Sequence, residues 1–116
     1  MINLRLPWPP TVNTYYTVAR GRKILSKRGR EYKVNSIADL IDRDAPRGLE
    51  GRFEVNMDVY PPDRRKRDID NLTKPVLDVL TNYGLWEDDS QVDVLRIRRM
   101  NIEKPGFVRV HITEIE

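Results

Sequence analysis

The sequence predicts an α+β fold, in which a mixed or mainly antiparallel sheet carries two packed helices. Several segments alternate between apolar and polar residues like strands, and two others have apolar residues at helical spacing. Their predicted order is strand, hairpin, helix, strand, helix and two strands, which favours helices packed against one sheet. A length of 116 residues suits one domain, so we expect residues 1–116 to form a single unit.

The N-terminal residues predict a strand followed by a hairpin. Residues 2–6 alternate in character, and the prolines that follow should end this strand because proline donates no hydrogen bond to a sheet. Two further strand-like segments, 15–18 and 23–25, flank the sequence Arg20-Gly21-Arg22. A glycine between two short strands is typical of a hairpin, here one with a basic tip.

The first predicted helix covers residues 27–43. Its apolar residues recur at helical spacing and predict one buried face, which consists of Val34, Ile37, Ala38 and Ile41. Residues 44–51 contain one proline and two glycines and predict a loop.

The second half of the chain predicts a strand, a helix and two final strands. Alternation over residues 53–59 is typical of a half-buried strand. Apolar residues recur at helical spacing from 72 to 83, and Gly84 should end that helix. The segments 92–102 and 107–115 predict the last two strands.

Composition and charge exclude some functions and favour others. The chain has no cysteine, which excludes disulfides, Cys-ligated zinc and thiol catalysis, and its one histidine is His111. It has no membrane-spanning run or signal peptide, so we expect a cytoplasmic protein without membrane contact.

The net charge is +3, and basic residues cluster at 20–30, 64–67 and 96–99. Such clusters favour a polyanionic partner, although a solvated surface also fits each one alone.

One short segment combines basic and acidic residues. Four consecutive basic residues lead directly into two aspartates: Arg64, Arg65, Lys66, Arg67, Asp68 and Asp70. If this segment is extended, the two carboxylates point the same way, because strand side chains repeat every second residue. Two carboxylates on one face repel each other unless a cation lies between them. That cation would be a flanking arginine or a divalent metal such as Mg²⁺.

A second acidic cluster, Glu87-Asp88-Asp89, follows the predicted second helix. A helix between the two clusters could return the chain to the same end of the fold. Carboxylates without cysteine select Mg²⁺ or Mn²⁺ over zinc, and such a site activates water and stabilises charge on a phosphate. Neighbouring arginines would then hold a nucleic-acid backbone. The residues alone fit equally a solvated acidic loop neutralised by arginines.

The motifs in this chain resemble those of the RusA family of Holliday junction resolvases. The segments LPWPPTVNTYY, RRKRDIDNLTKPVLDVL and YGLWEDDSQV carry the resemblance, which covers nearly the whole chain. It implies a RusA-like fold and a homodimeric, Mg²⁺-dependent endodeoxyribonuclease, with Mn²⁺ as an alternative metal. Such enzymes resolve four-way junction DNA by paired symmetric nicks in recombination and repair.

The resemblance also implies roles for single residues. Asp68, Asp70 and Asp89 would be catalytic metal ligands, and Lys74 would be the active-site lysine. The four basic residues before Asp68 would contact DNA. Pro75 disfavours helical geometry in the residue before it, so Lys74 is expected at the entrance of its helix.

Several neighbouring residues have more than one interpretation. Asp88 fits a metal ligand, a helix cap or, preferably, a residue that orients a ligand. Asp78 fits a buried partner of an arginine or asparagine better than a catalytic role. Asn71 fits either a helix cap or an orienting residue. His111, in the final strand, fits a structural role better than that of a general base.

Two other functions and one interface remain open at this stage. The alternatives are a DNA-binding module whose carboxylates merely neutralise arginines, and a nuclease for other branched or single-stranded DNA.

A four-way junction has two equivalent strands, which favours a two-fold dimer. The last two strands are a candidate dimer surface, because an edge strand can pair across a two-fold axis. The residues considered for it are Val92, Val94, Val108 and Val110.

Overall fold

A four-stranded mixed sheet forms the centre of the computed structural model, which describes residues 1–116. The strands of the chain are β1 (Ile2–Pro7), β2 (Tyr16–Ala19), β3 (Arg22–Leu25), β4 (Arg52–Tyr60), β5 (Val92–Arg99) and β6 (Phe107–Ile115). The central sheet has the order β1-β6-β4-β5, in which β4 and β5 are parallel and the other neighbours antiparallel. β2 and β3 form the predicted hairpin, and Arg20 and Gly21 at its tip both have positive φ.

Helices cover one face of this sheet. They are α1 (Val12–Tyr15), α2 (Lys27–Asp42) and α3 (Thr73–Tyr83), with short 3₁₀ helices at Ile69–Leu72 and Asp89–Gln91. The two longer helices confirm the predicted α+β fold, whereas the single turn α1 was not predicted. Gly84 ends α3 in the left-handed conformation, as expected. None of the helices is long and apolar enough to span a membrane.

The core lies between the sheet and the helices. Alternate residues of the two central strands point into it and are almost completely buried: Val55, Met57, Val59, Val108, Val110 and Ile112. Leu40 of α2 and Val76, Val79 and Leu80 of α3 meet them with no exposed surface. The residues that alternate with these on the strands point away from the helices and form the open face of the sheet. Its arginines are exposed: Arg5, Arg96, Arg98 and Arg109.

The buried face of α2 differs from the predicted one. The structure buries Gly29, Tyr32, Ser36 and Leu40, whereas Val34 and Ile41 are 67% and 56% exposed. Gly29 explains the difference, because a Cβ atom at this position would lie 2.3 Å from the Tyr15 carbonyl oxygen. The helix therefore packs closely against Tyr15 through its glycine, and this contact fixes which side faces the core. The prediction from apolar residues alone was therefore wrong for Val34, Ala38 and Ile41, whereas Ile37 is partly buried against the core.

The two final strands have different places in the sheet. β5 is an edge strand, but β6 lies between β1 and β4, and Val108 and Val110 are completely buried. The expectation that both strands offer a free edge is therefore wrong for β6. The pairing of β1 with β6 joins the two ends of the chain, and local sequence patterns do not reveal it.

Candidate active site

Arg67 organises the basic segment that follows β4. Its guanidinium donates to Asp63 Oδ1 at 2.7 Å and to the carbonyl oxygens of Asp63 and Arg65 at 3.3 Å. It lies 5.5 Å from the centre of the Trp8 ring, and Arg99 donates to the Arg67 carbonyl oxygen. Only 15% of the Arg67 side chain is exposed. Of the four basic residues predicted to contact DNA, Arg67 is thus the one that holds the loop.

The other three basic residues of this segment extend into solvent. Arg64 and Lys66 are exposed and form no ion pair, and Arg65 approaches only Asp63, at 3.7 Å. The backbone N–H of Arg65 and the guanidinium of Arg67 keep the pKa of Asp63 below its usual value. Arg65 and Arg67 therefore neutralise Asp63, and not the two aspartates that follow.

The carboxylates of Asp68 and Asp70 have no partner within the chain. Asp68 is extended, but the chain then turns into the 3₁₀ helix Ile69–Leu72, where the backbone N–H of Asn71 donates to the Asp68 carbonyl oxygen at 3.1 Å. The condition of an extended segment is therefore not met at Asp70, and strand alternation does not align the two side chains. Both are exposed, and neither carboxylate accepts a hydrogen bond or joins an ion pair.

The residues around α3 correct one interpretation and confirm another. Leu72, and not Asn71, lies at the N-cap of α3, which excludes the helix cap among the two interpretations considered for Asn71. Lys74 is the second residue of α3, which confirms its predicted place at the helix entrance. From there the side chain reaches two acidic residues.

Lys74 joins the beginning of α3 to the acidic cluster that follows the helix. Its Nζ atom lies 2.7 Å from Asp78 Oδ1, one turn further along α3, and 3.3 Å from Asp89 Oδ2. The hydrogen bond with Asp78 is the main cause of a raised pKa of Lys74, and Asp89 adds to it. The ammonium group is therefore firmly protonated, and the second acidic cluster returns to the start of α3 as expected.

Tyr16 is a site residue that the sequence did not indicate, and Asp78 has other partners than the sequence predicts. The Tyr16 hydroxyl donates to Asp78 Oδ2, and burial together with this carboxylate raises the pKa of Tyr16. Asp78 was expected to pair with an arginine or asparagine, but its partners are Tyr16 and Lys74. The i,i+4 spacing of Lys74 and Asp78 was a usable signal. The position of Tyr16 depends on how the hairpin packs and had no such signal.

Asp88 positions Asp89 by capping a turn. Its side chain accepts a hydrogen bond from the Ser90 N–H at 3.1 Å, which lowers the pKa of Asp88. Gln91 completes a capping box by accepting from the Asp88 N–H, and it also donates to the Leu49 carbonyl oxygen at 3.1 Å. Of the interpretations considered for Asp88, the structure shows the cap. Asp89 begins the 3₁₀ helix that this cap fixes.

These side chains line an open cleft of about 390 Å³ between the hairpin, α3 and the second 3₁₀ helix. Its polar lining includes Tyr16, Lys33, Lys74, Asp78 and Asp89. The carboxylate oxygens fit a hard divalent cation, and the Lys74 ammonium between two of them shows that the cleft accommodates positive charge. No three acidic or histidine side chains are close enough to share one metal ion, so the predicted ligand set is not gathered here. Asp68 and Asp70 lie on the segment that leads into α3.

Comparisons with known proteins give a consistent assignment. Residues 7–113 match the family model of endodeoxyribonuclease RusA. The chain is 38% identical over 113 residues to the crossover junction endodeoxyribonucleases RusA of Escherichia coli (strain K12), Shigella sonnei and Enterobacteria phage 82, covering 97% of this chain and 94% of each relative. The protein is thus an endodeoxyribonuclease. Within this class, the chain belongs to the RusA family.

Proposed function

We propose that this protein resolves four-way junction DNA by paired symmetric nicks, in DNA recombination and repair. The observation that supports this most is the approach of Lys74 to Asp89 in one cleft, where Lys74 begins the helix that follows two aspartates with unpaired carboxylates. The names of the relatives specify crossover junctions as their substrate. We expect the enzyme to act in the cytoplasm, where its DNA would be.

We propose Asp68, Asp70 and Asp89 as the ligands of Mg²⁺, with Mn²⁺ as an alternative. The carboxylates of Asp68 and Asp70 are free of competing arginines, and oxygen donors suit these ions. When bound, such an ion lowers the pKa of a water molecule and stabilises charge on a phosphate. Asp88 would keep Asp89 in place through the turn that it caps.

Lys74 would stabilise negative charge on the phosphate that is cut. Asp78 holds the ammonium group at 2.7 Å, and Tyr16 holds Asp78 from its other oxygen. A donor that is already oriented needs no rearrangement as charge develops, which is the source of its catalytic effect. In this account Lys74 is catalytic, and Asp78 and Tyr16 are positioning residues.

The exposed basic residues Arg64, Arg65 and Lys66 would bind backbone phosphates, while Arg67 keeps their loop in shape. Phosphate contacts supply affinity and orientation without reading the sequence. The alternative of a binding module whose arginines neutralise its carboxylates has little support, since the arginines pair with Asp63.

We further propose that the enzyme is a two-fold homodimer, since the junction presents two equivalent strands and two-fold symmetry is the commonest form of self-assembly. A supercoiled plasmid with an extruded cruciform tests this, because a single nick removes the substrate. Two cuts within one binding event give linear DNA, whereas independent monomers give nicked circles. A monomer in sedimentation together with nicked circles would contradict the dimer.

The experiment that tests the substrate is a cleavage panel. It compares a synthetic four-way junction with matched duplex, flap and single-stranded DNA, each with Mg²⁺ and with excess chelator. We expect symmetric cuts in the junction alone, and only with the metal. Equal cutting of the flap or the single strand would favour a nuclease for other branched DNA.

A further inference from the structure

The open face of the sheet carries two arginines without an acidic partner. Arg5 on β1 and Arg109 on β6 are exposed and lie directly opposite each other in the antiparallel register. Neither takes part in an ion pair, whereas Arg98, on the same face, binds Asp58 at 2.6 Å. The charge of the Arg5–Arg109 pair is therefore not neutralised within the chain.

Aromatic rings fix the position of both guanidinium groups. Arg5 lies 3.9 Å from the centre of the Phe107 ring, and Arg109 lies 5.6 Å from the same ring and 5.9 Å from that of Tyr60. The two rings stack on each other, with centres 4.4 Å apart and an angle of 15° between their planes. Aromatic faces attract a cation but do not cancel its charge. The rings therefore restrict the two arginines and leave them positively charged.

The two facing guanidinium groups of Arg5 and Arg109 destabilise the sheet unless an anion binds between them. Like charges directly opposite each other on neighbouring strands repel. Arg109 is also opposite Asp58 on β4, but this carboxylate is engaged by Arg98 at 2.6 Å and by His111 at 3.5 Å. A guanidinium group matches the geometry of a phosphate with two parallel hydrogen bonds. A bound phosphate group would offset the repulsion that the chain itself leaves in place.

The Arg5–Arg109 pair lies at the same end of the sheet as the basic segment. Phe107 follows Gly106, where a Cβ atom would be 2.9 Å from the Pro62 ring, and the Glu103 N–H donates to the Pro61 carbonyl oxygen at 2.9 Å. These contacts hold the β5–β6 connection against the start of the loop that carries the exposed basic residues of 64–66. The two basic surfaces are therefore neighbours.

We propose that the Arg5–Arg109 pair binds the phosphodiester backbone of a DNA arm, outside the catalytic cleft. The proposal rests on the proposed function, because it takes the bound polyanion to be the DNA substrate. The pair is positively charged, and it adjoins the basic segment that is proposed to bind DNA. Both observations favour a nucleic acid as the partner of this face. Since backbone contacts carry no sequence information, the pair would orient an arm and not choose the cutting site.

The test compares two double variants of equal net charge. Arg5→Gln/Arg109→Gln removes the pair, and Arg43→Gln/Arg47→Gln removes two exposed arginines at and after the end of α2, outside the basic clusters of the sequence. The affinity for a synthetic four-way junction is measured over a range of salt concentrations. The logarithm of the binding constant is plotted against the logarithm of the salt concentration. We expect the steepness of this plot to fall by about two for the first variant, because each lost phosphate contact lowers it by about one. The control variant should keep the slope of the original protein.

Other results would overturn the proposal. An unchanged slope with a lower melting temperature would mean that the two arginines only cover Phe107. Equal slope changes in both double variants would mean that net charge alone matters. Arg5→Lys/Arg109→Lys retains the charge and should keep most of the slope even if the fold is less stable. If the original protein does not cut junctions but its slope still depends on this pair, the proposed function fails and the binding site stands.

Discussion

Lys74 and Asp89 are 15 residues apart in the chain, yet Lys74 Nζ lies 3.3 Å from Asp89 Oδ2. Most of helix α3 and the loop after it lie between the two residues. The contact therefore brings the start of α3 and the end of that loop together at the candidate active site. The proposed catalytic lysine and one proposed metal ligand are thereby held together before DNA binds.

Replacing Asp78 tests whether it positions Lys74. We expect Asp78→Asn to lower the cleavage rate at saturating junction by roughly tenfold, a typical size for a lost outer contact at such a site. Junction affinity should change little, because the ammonium group itself remains. Single-turnover rates and binding curves measure the two effects. The exposed Asp42→Asn is the control, and an equal loss of affinity and rate in Asp78→Asn would contradict a positioning role.

Arg65 and Arg67 should behave differently although they are neighbours in the basic segment. Arg65 is 83% exposed, so Arg65→Ala should lower the salt slope of junction binding by about one and leave the melting temperature unchanged. Arg67 holds Asp63 and two carbonyl oxygens, so Arg67→Ala should also lower the melting temperature by several degrees. Equal melting temperatures for the two variants would show that Arg67 does not organise the loop.

Gly29→Ala should destabilise the protein although alanine favours helices. The added Cβ atom would meet the Tyr15 carbonyl oxygen at 2.3 Å, and relief of such overpacking usually costs about 1–3 kcal/mol. This outweighs a gain of about 1 kcal/mol in helix propensity. Urea unfolding measures the difference, with Asn35→Ala on the exposed side of α2 as the control. A more stable Gly29→Ala protein would contradict the close contact of α2 with Tyr15.

Asp58 predicts a pH dependence of stability. The hydrogen bond from Arg98 holds the pKa of the buried Asp58 below its model-peptide value of 3.8, and His111 adds to the effect. A lowered pKa in the folded state gives stability that is present above pH 3.8 and is lost as the pH falls further. The amide in Asp58→Asn does not titrate. Between pH 6 and pH 3, the free energy of unfolding of this variant should therefore fall by about 1 kcal/mol less than that of the original protein. Urea unfolding at both pH values measures these free energies. An equal decrease in the variant and in the original protein would contradict the stabilising role of ionised Asp58.

The strands and the longer helices could be predicted because their patterns are local. Alternation over β4, the helical spacing of α3 and the glycine at its end all lie within a few residues of each other. The face of α2 could not be predicted in this way, because it depends on the contact of Gly29 with Tyr15 across two elements. The same holds for β6, whose place in the sheet depends on pairing with the other end of the chain.

The candidate site was predictable in part for similar reasons. Lys74 and Asp89 could be selected from motifs, since both lie in segments that carry the resemblance to the family. Tyr16 also lies in such a segment, but it enters the cleft only because the hairpin packs against α3, and the motif does not indicate this contact. The partner of Arg67 is Asp63, which precedes the basic residues, and no sequence pattern indicates this pairing.

The most direct test of metal-dependent cleavage is the amount of four-way junction cut by Asp70→Asn in the presence of Mg²⁺. The carboxylate of Asp70 has no hydrogen-bond or ion-pair partner within the chain, so the amide should leave the fold intact and remove one proposed ligand charge. We expect the variant to bind the junction like the original protein and to cut none of it, while the control Asp42→Asn cuts normally. Full cutting by Asp70→Asn, or by the original protein in excess chelator, would contradict the account.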